Sequence, residues 1–168
     1  MNLKAMSVIM LAFAITSTAA GQDAATAQSR LESFETAPSG PLTKLPTTVG
    51  QWRAESGHCE ITRHTARTGS QALRIFGGRE RTVEFVPPGD KADLRILSFW
   101  AERWTGRDPF RFRIDSLSKG QWRTLYCGDK TIRVGDFHVR VEVDLGDKPA
   151  DKYRLVCSSP AGSGILID

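Results

Sequence analysis

The chain has 168 residues, 40% of them hydrophobic and 25% charged, with 23 basic and 19 acidic side chains and a formal net charge of +4. That length suits one domain with a sizeable core and excludes two. The basic residues are scattered among acidic ones rather than gathered in runs, which argues against a nucleic-acid partner despite the positive balance.

Residues 1–4 are short and positively charged, 5–15 are apolar, and 16–20 are all small. This charged, apolar, small-residue order is that of a secretory signal peptide. The apolar run falls short of the roughly 20 residues that a spanning helix needs. No cysteine stands near the cut site for a lipid anchor, so an exported protein without membrane insertion is expected, periplasmic or extracellular. Residues 21–30 are small and polar and read as a linker, which leaves 31–168 as the folded domain.

From residue 31 onward short strand-like runs alternate with turn signals, as in a sandwich or barrel. Expected strands cover 31–35, 51–55, 59–63, 72–76, 82–86, 94–101, 110–115, 122–127, 138–145, 153–157 and 164–168. The clearest has Phe110, Phe112 and Ile114 on one face and Arg111, Arg113 and Asp115 on the other, a strict period of two. Val139, Val141 and Val143 alternate with Arg140, Glu142 and Asp144 in the same way. The run 94–101 is apolar on both faces, as in a strand covered on both sides. Gly77-Gly78 and Pro160-Ala161-Gly162 read as turns between strands. No helical period appears after residue 30, so the fold expected is all-β, an antiparallel sandwich of jelly-roll type. Residues 165–168 read as the start of a closing strand, and the domain is expected to continue beyond Asp168.

Of the three cysteines, Cys127 and Cys157 both end strand-like runs and are the better candidates for a bridge in an oxidising compartment. Three free thiols, Cys59 included, is the alternative.

The order of landmarks resembles the galactose-binding-like and carbohydrate-binding-module jelly rolls of secreted glycosidases. These landmarks are Ser33-Phe34-Glu35, Trp52, the run from Thr68 through Gly69 and Ser70 to Ile75, Leu97 to Ala101, and Gly164 to Asp168. More narrowly, Ala101 to Thr105 and Pro109 to Ile114 are similar to the N-terminal sandwich region of bacterial exo-sialidases with BNR repeats. The resemblance implies a glycan partner, with sialylated glycans as the narrower case. It also implies a structural calcium held by Glu35 and Asp168, which match the terminal carboxylate positions. A sialidase propeller is not encoded: the chain is too short for one and has no Ser-x-Asp-x-Gly-x-x-Trp box.

Sugars are held by aromatic faces and by hydrogen-bonding groups at their hydroxyls. Trp104 lies in a polar, Gly-containing stretch and is the ring expected to be exposed, whereas Trp100 and Trp122 are expected to pack in the core. Arg103, Arg107, Arg111 and Arg113 are candidates to clamp a carboxylate, because a guanidinium offers it two parallel hydrogen bonds. For Arg111, Arg113 and Arg140 the alternative is a solvated sheet face paired across strands with Asp115, Glu142 and Asp144. The sequence has no Gly-x-Ser-x-Gly, His-Glu-x-x-His or Cys-x-x-Cys motif, and His58, Cys59 and His64 lack a fourth ligand for zinc. The function expected is a noncatalytic carbohydrate-binding module accessory to a glycosidase. The alternatives are the front end of a secreted exo-sialidase, or a structural or protein-contact domain.

Overall fold

The computed structural model describes residues 32–89, 94–146 and 150–168; the expected signal peptide and linker lie outside them. Among the described residues ten strands form: β1 (Gly40–Pro41), β2 (Lys44–Thr47), β3 (Gly50–Ala54), β4 (Cys59–Thr62) and β5 (Ala72–Val86), then β6 (Ile96–Arg103), β7 (Arg111–Ser118), β8 (Gln121–Cys127), β9 (Val139–Asp144) and β10 (Lys152–Ile167). Every pairing between these strands is antiparallel.

Two long strands organise the sandwich. The N-terminal half of β5 and the C-terminal half of β10 lie in a first sheet, ordered β1-β4-β5-β10-β6-β9. Their other halves lie in a second sheet, ordered β2-β3-β5-β10-β7-β8. The chain passes repeatedly from sheet to sheet, which is the jelly-roll arrangement expected from the strand spacing. The segments expected as separate strands, 72–76 with 82–86 and 153–157 with 164–168, are thus single strands that bend from one sheet into the other.

The bend is made by irregular backbone, not by turns. The β5–β10 register shifts between Cys157 and Ser159 and again between Ser159 and Gly164. On one side Arg79 and Glu80 bulge from β5, with Glu80 at φ 48°; on the other, Pro160 to Gly162 bulge from β10. A bulge bends its strand and sharpens the local twist, so two facing bulges carry the pair round the corner together.

Between the sheets the period-two residues meet. Leu73, Ile75, Phe99, Ile165 and Ile167 from the first sheet are buried against Val83, Phe112, Ile114, Leu155 and Cys157 from the second. Phe112 meets Phe99 edge-on at 6.3 Å and Tyr126 at 6.5 Å, offset geometries that aromatic quadrupoles favour. Trp52, the core tryptophan, stacks obliquely on Phe85 at 4.9 Å and on Phe34 at 5.6 Å. Each of these large side chains contributes roughly 1.5–3 kcal/mol by leaving water.

Three expectations are corrected. Residues 32–35 form no strand: Phe34 takes φ 56° in a turn, and its amide donates to Glu32 Oε1 at 2.9 Å. Trp100 and Trp122 are not in the core. Each follows a core residue or faces outward by strand alternation, and each is half-buried on an outer sheet face. No disulfide joins Cys127 and Cys157. They lie on opposite sides of β7, Cys127 opposite Arg113 and Cys157 opposite Phe112. Two strand spacings amount to roughly 10 Å, beyond the roughly 7 Å Cα limit for a bridge.

Candidate functional site

Residues on the outer face of the first sheet fall in rows. Glu60 on β4 opposes Arg74 on β5, which opposes Leu166 on β10 and then Glu102 on β6. Trp100 and Trp104 flank this row on the same side. Ala72, Phe137 and Leu166 form a small buried cluster beneath the two indoles, covered in part by the chain around Phe137, whose amide donates to Glu102 Oε2 at 3.0 Å. This covering is why the run around Trp100 is apolar on both faces.

Trp104, the ring expected to be exposed for sugar, already carries a cation, and so do Trp100 and Trp122. The Arg74 guanidinium lies 4.0 Å from the Trp104 centroid, Arg67 lies 3.7 Å from Trp100, and Arg154 lies 4.0 Å from Trp122. His64 also meets Trp104 edge-on at 6.5 Å. A cation over an indole is worth about 0.5–2 kcal/mol, which a stacking sugar would have to replace.

A cleft of about 570 Å³ opens instead at the bend between the sheets, a volume suited to a small ligand. The β5 bulge supplies Arg79 and Glu80, β7 supplies Arg111 and Arg113, and β10 supplies Ser158 and Ser159; Pro109 and Pro160 give apolar walls. Arg111 opposes Ser158 directly across the β7–β10 ladder, and on the far side Ser158 Oγ accepts the Glu80 amide at 2.9 Å. The site is therefore three strands wide, with Ser158 at its centre. Two other depressions, each of about 580 Å³, lie near residues 32–48 and beside β9. The first is lined by no basic residue, and the arginine of the second, Arg140, is paired with Glu142 at 2.9 Å.

The charges in the cleft differ in their partners. Arg113 is held by Glu80 at 3.1 Å and by Asp115 at 3.1 Å. Asp115 also accepts from Arg154 at 2.8 Å and from the Thr124 hydroxyl at 2.7 Å. Burial alone would raise the Asp115 carboxyl, but Thr124, Arg154 and Arg113 together hold it below the ordinary aspartate value. Arg113–Asp115 lies within β7 and Arg140–Glu142 within β9, whereas Arg154–Asp115 and Arg113–Glu80 cross between strands. Among the described residues, Arg79 and Arg111 make neither an ion pair nor a hydrogen bond.

The structure divides the candidate sugar-binding residues among four places. Arg111 and Arg113 share the cleft. Arg103 turns toward the core edge, bonded to Asp108 at 2.9 Å and to the Arg107 carbonyl at 2.7 Å, with Phe110 beneath it at 4.6 Å. Arg107 is exposed and comes within reach of the Gly162 bulge. Trp104 sits on the outer face of the first sheet. Arg79, missed in the sequence, joins the cleft because its bulge redirects it.

Glu35 and Asp168 converge on one turn. Asp168 is buried and its carboxylate accepts the amides of Arg67 and Thr68 and the Thr68 hydroxyl. Glu35 accepts the amides of Ser70 and Gln71, each at 2.9 Å, and the Ser70 hydroxyl at 2.8 Å. Gly69 is required between them: at φ 63°, an added Cβ would stand 2.4 Å from Glu35 Oε1. Burial would raise the Glu35 carboxyl, but the Ser70 and Gln71 donors and the charge of Arg63 hold it below the ordinary value. Asp168 goes the other way: burial raises it, the Thr68 and Arg67 donors offset only part, and the charge of Glu35 adds to the rise. Among the described residues no three His, Cys, Asp or Glu side chains gather as a metal site, so a cation here would draw further oxygens from the turn's carbonyls. Burial pushes the thiols of Cys59 and Cys157 up to about 12 and about 11, where neither is a thiolate ligand or nucleophile.

No protein-family model matches the sequence, and no curated protein matches it. Solved carbohydrate-binding modules are similar in outline. A family 29 module matches with a TM-score of 0.47 at 14% identity, over 79% of this chain and 89% of that one. The CBM22-1 xylan-binding domain of Paenibacillus barcinonensis Xyn10C matches with 0.47 at 18% identity, over 77% and 91%. The module TmCBM61, solved with beta-1,4-galactotriose, matches with 0.44 at 14% identity, over 70% and 83%. At such scores and identities the likeness is one of general architecture.

Proposed function

We propose that this chain is an exported, noncatalytic carbohydrate-binding β-sandwich, accessory to a glycosidase, and that it binds its glycan in the cleft at the sheet bend. The observation that carries this reading is the cleft itself: a small-ligand volume between proline walls, with serine at its centre and two unpaired arginines, Arg79 and Arg111, at its sides. Such a lining supplies hydrogen-bond donors for hydroxyls beside apolar surface for a ring. Its one lining carboxylate, Glu80, is committed to Arg113, and the Ser158 hydroxyl to the Glu80 amide, which supports binding over chemistry. The full chain is expected to bind one class of immobilised glycan saturably. Ser158→Tyr, which fills the cleft floor, is expected to abolish retention with an unchanged far-UV spectrum. If Trp104→Ala abolishes retention and Ser158→Tyr does not, the site is the outer face of the first sheet. Background retention across the panel by a folded chain sinks glycan binding altogether.

We also propose that Glu35 and Asp168 share a structural calcium. Calcium takes carboxylate and carbonyl oxygens. The observation that favours it is two carboxylates brought to one turn, of which the buried Asp168 is raised by burial and by the charge of Glu35. Asp168 Oδ2 and Glu35 Oε1 each accept two amides, so the lone pairs left for a cation are on Asp168 Oδ1 and Glu35 Oε2, each of which accepts one hydroxyl. A carboxyl raised in the folded state makes stability fall as pH rises through its folded value, and a bound cation removes that loss. Thermal unfolding at neutral pH is therefore expected several degrees higher in calcium than in chelator, with the increment absent in Asp168→Asn. An unfolding temperature indifferent to saturating calcium makes the pair a metal-free staple of the 67–71 turn.

A further inference from the structure

We infer that the cleft selects sugars bearing a carboxylate, with Arg111 as the principal contact and Arg79 as the second cation; this rests on the cleft being the glycan site. The distribution of charge carries the inference. Arg113 already has two carboxylates, Glu80 and Asp115, so it brings little net field to the cleft. Arg79 and Arg111 have none among the described residues, and they stand on either side of Ser158, on the strands flanking β10. Two strand spacings separate those backbones by roughly 10 Å, a gap that two long side chains close around one sugar ring.

The bulge explains why Arg79 is available at all. Regular alternation past Gly77 and Gly78 would set its side chain by the ladder. The register shift frees it, and Gly78 is held at φ 145°, where an added Cβ would stand 2.4 Å from Arg81 Nε. Arg81 thus lies flat against the Gly78 backbone, its Nε buried with no hydrogen-bond partner, and adds a third positive charge behind the cleft wall. An unpaired guanidinium at a partly dry site prefers an oxyanion, and a planar carboxylate meets its fork with two parallel bonds.

A polyanion fits less well. Binding a charged polymer needs a track of unpaired cations, and along the second sheet from Arg113 in the cleft to Arg154 and Lys152 each cation is neutralised, by Glu80, Asp115 and Glu84. The proline walls at 109 and 160 also favour one ring's apolar face over an extended backbone.

The test is titration calorimetry of the full chain at physiological salt. Its probes are matched pairs: a glucuronic-acid-terminated disaccharide against its glucose counterpart, sialyllactose against lactose, and a sulfated sugar and heparin as further arms. The carboxylated member of at least one pair is expected to bind about tenfold tighter or more than its neutral partner. Arg111→Ala is expected to erase that preference and Arg111→Lys to restore part of it, and Arg79→Ala to weaken it less. Arg111 is exposed, so these variants are expected to fold normally. Equal binding of neutral and carboxylated partners overturns the selectivity and leaves glycan binding standing. Tighter binding of the sulfated sugar or of heparin also overturns it, in favour of a general anion site. No binding to any probe overturns both this inference and the site's assignment.

Discussion

Replacing Asp115 by Asn is expected to destabilise the sandwich by about 3 kcal/mol, the lower end of the cost of breaking a buried ion pair. The carboxylate is 2% exposed and receives Arg113, Arg154 and Thr124, whereas the two arginines keep 32% and 27% exposure and part of their hydration. That hydration is why the lower end applies. An amide keeps the Thr124 bond but leaves both guanidinium groups without their common counter-ion. Arg154 retains only Trp122, at 4.0 Å, and Arg113 only Glu80. The pH dependence follows from the lowered carboxyl. The folded state holds the proton more weakly than the unfolded chain, so this contribution is complete above the unfolded aspartate value and fades as pH falls through the folded one. Denaturant unfolding of the wild type below about pH 4 is expected to lose stability that Asp115→Asn has already lost, so the two curves converge in acid. Parallel curves would show that other carboxylates set the acid limit. Because Asp115 also neutralises Arg113, the same substitution is expected to make the cleft more positive. It is then expected to bind carboxylated sugars more tightly despite its lower stability, a result no purely structural role would produce.

The parts of the fold that alternate were legible. Phe112 and Ile114 against Arg113 and Asp115, and Val141 and Val143 against Arg140 and Glu142, are inward and outward as their period requires. What was not legible is the continuity of β5 and β10. A double glycine or a Pro-Ala-Gly run satisfies a turn and a bulge equally well, because both need positive φ and missing side chains. Gly77, Gly78 and Pro160 to Gly162 therefore read as strand ends when they are the corner of the sandwich. The same ambiguity hid half of the cleft. Arg111 and Arg113 were visible as a basic strand face, but Arg79 meets them only through the bend, from a distant part of the chain. Trp104 looked exposed because its local sequence is polar. Arg74, thirty residues earlier and placed over it by the β5–β10–β6 ladder, leaves no trace in that local sequence. Glu35 and Asp168 were linked in the sequence only as what a resemblance implies, since nothing in composition joins residues that far apart.

Gly164→Ala is expected to cost about 2–5 kcal/mol, combining positive-φ strain with overpacking. Gly164 sits at φ 137°, and an added Cβ would stand 2.2 Å from the Ile75 carbonyl oxygen and 3.1 Å from the Gly77 amide nitrogen, both backbone atoms that no rotamer change can clear. Relief requires β10 to move away from β5, but that movement is opposed on the other side, where the Gly164 carbonyl accepts the Trp104 amide at 3.0 Å. Gly77 is constrained from the facing strand in the same way, its added Cβ falling 2.1 Å from the Pro160 carbonyl oxygen. The two glycines let the bulged strands touch at the corner, so a methyl at either one pries open the bend that shapes the cleft. By contrast Gly120, also at positive φ but with open space around it, is expected to cost only the backbone strain, about 1 kcal/mol as Ala. Chemical denaturation of the three variants checks this ordering, and the cleft supplies a second readout. A Gly164→Ala protein that remains folded is expected to lose binding of the glycan ligand, whereas Gly120→Ala keeps it. Equal stability losses at positions 164 and 120 would mean that the close contact at the corner relaxes freely, and that the bend is held by the core beneath it and not by the meeting of the two backbones.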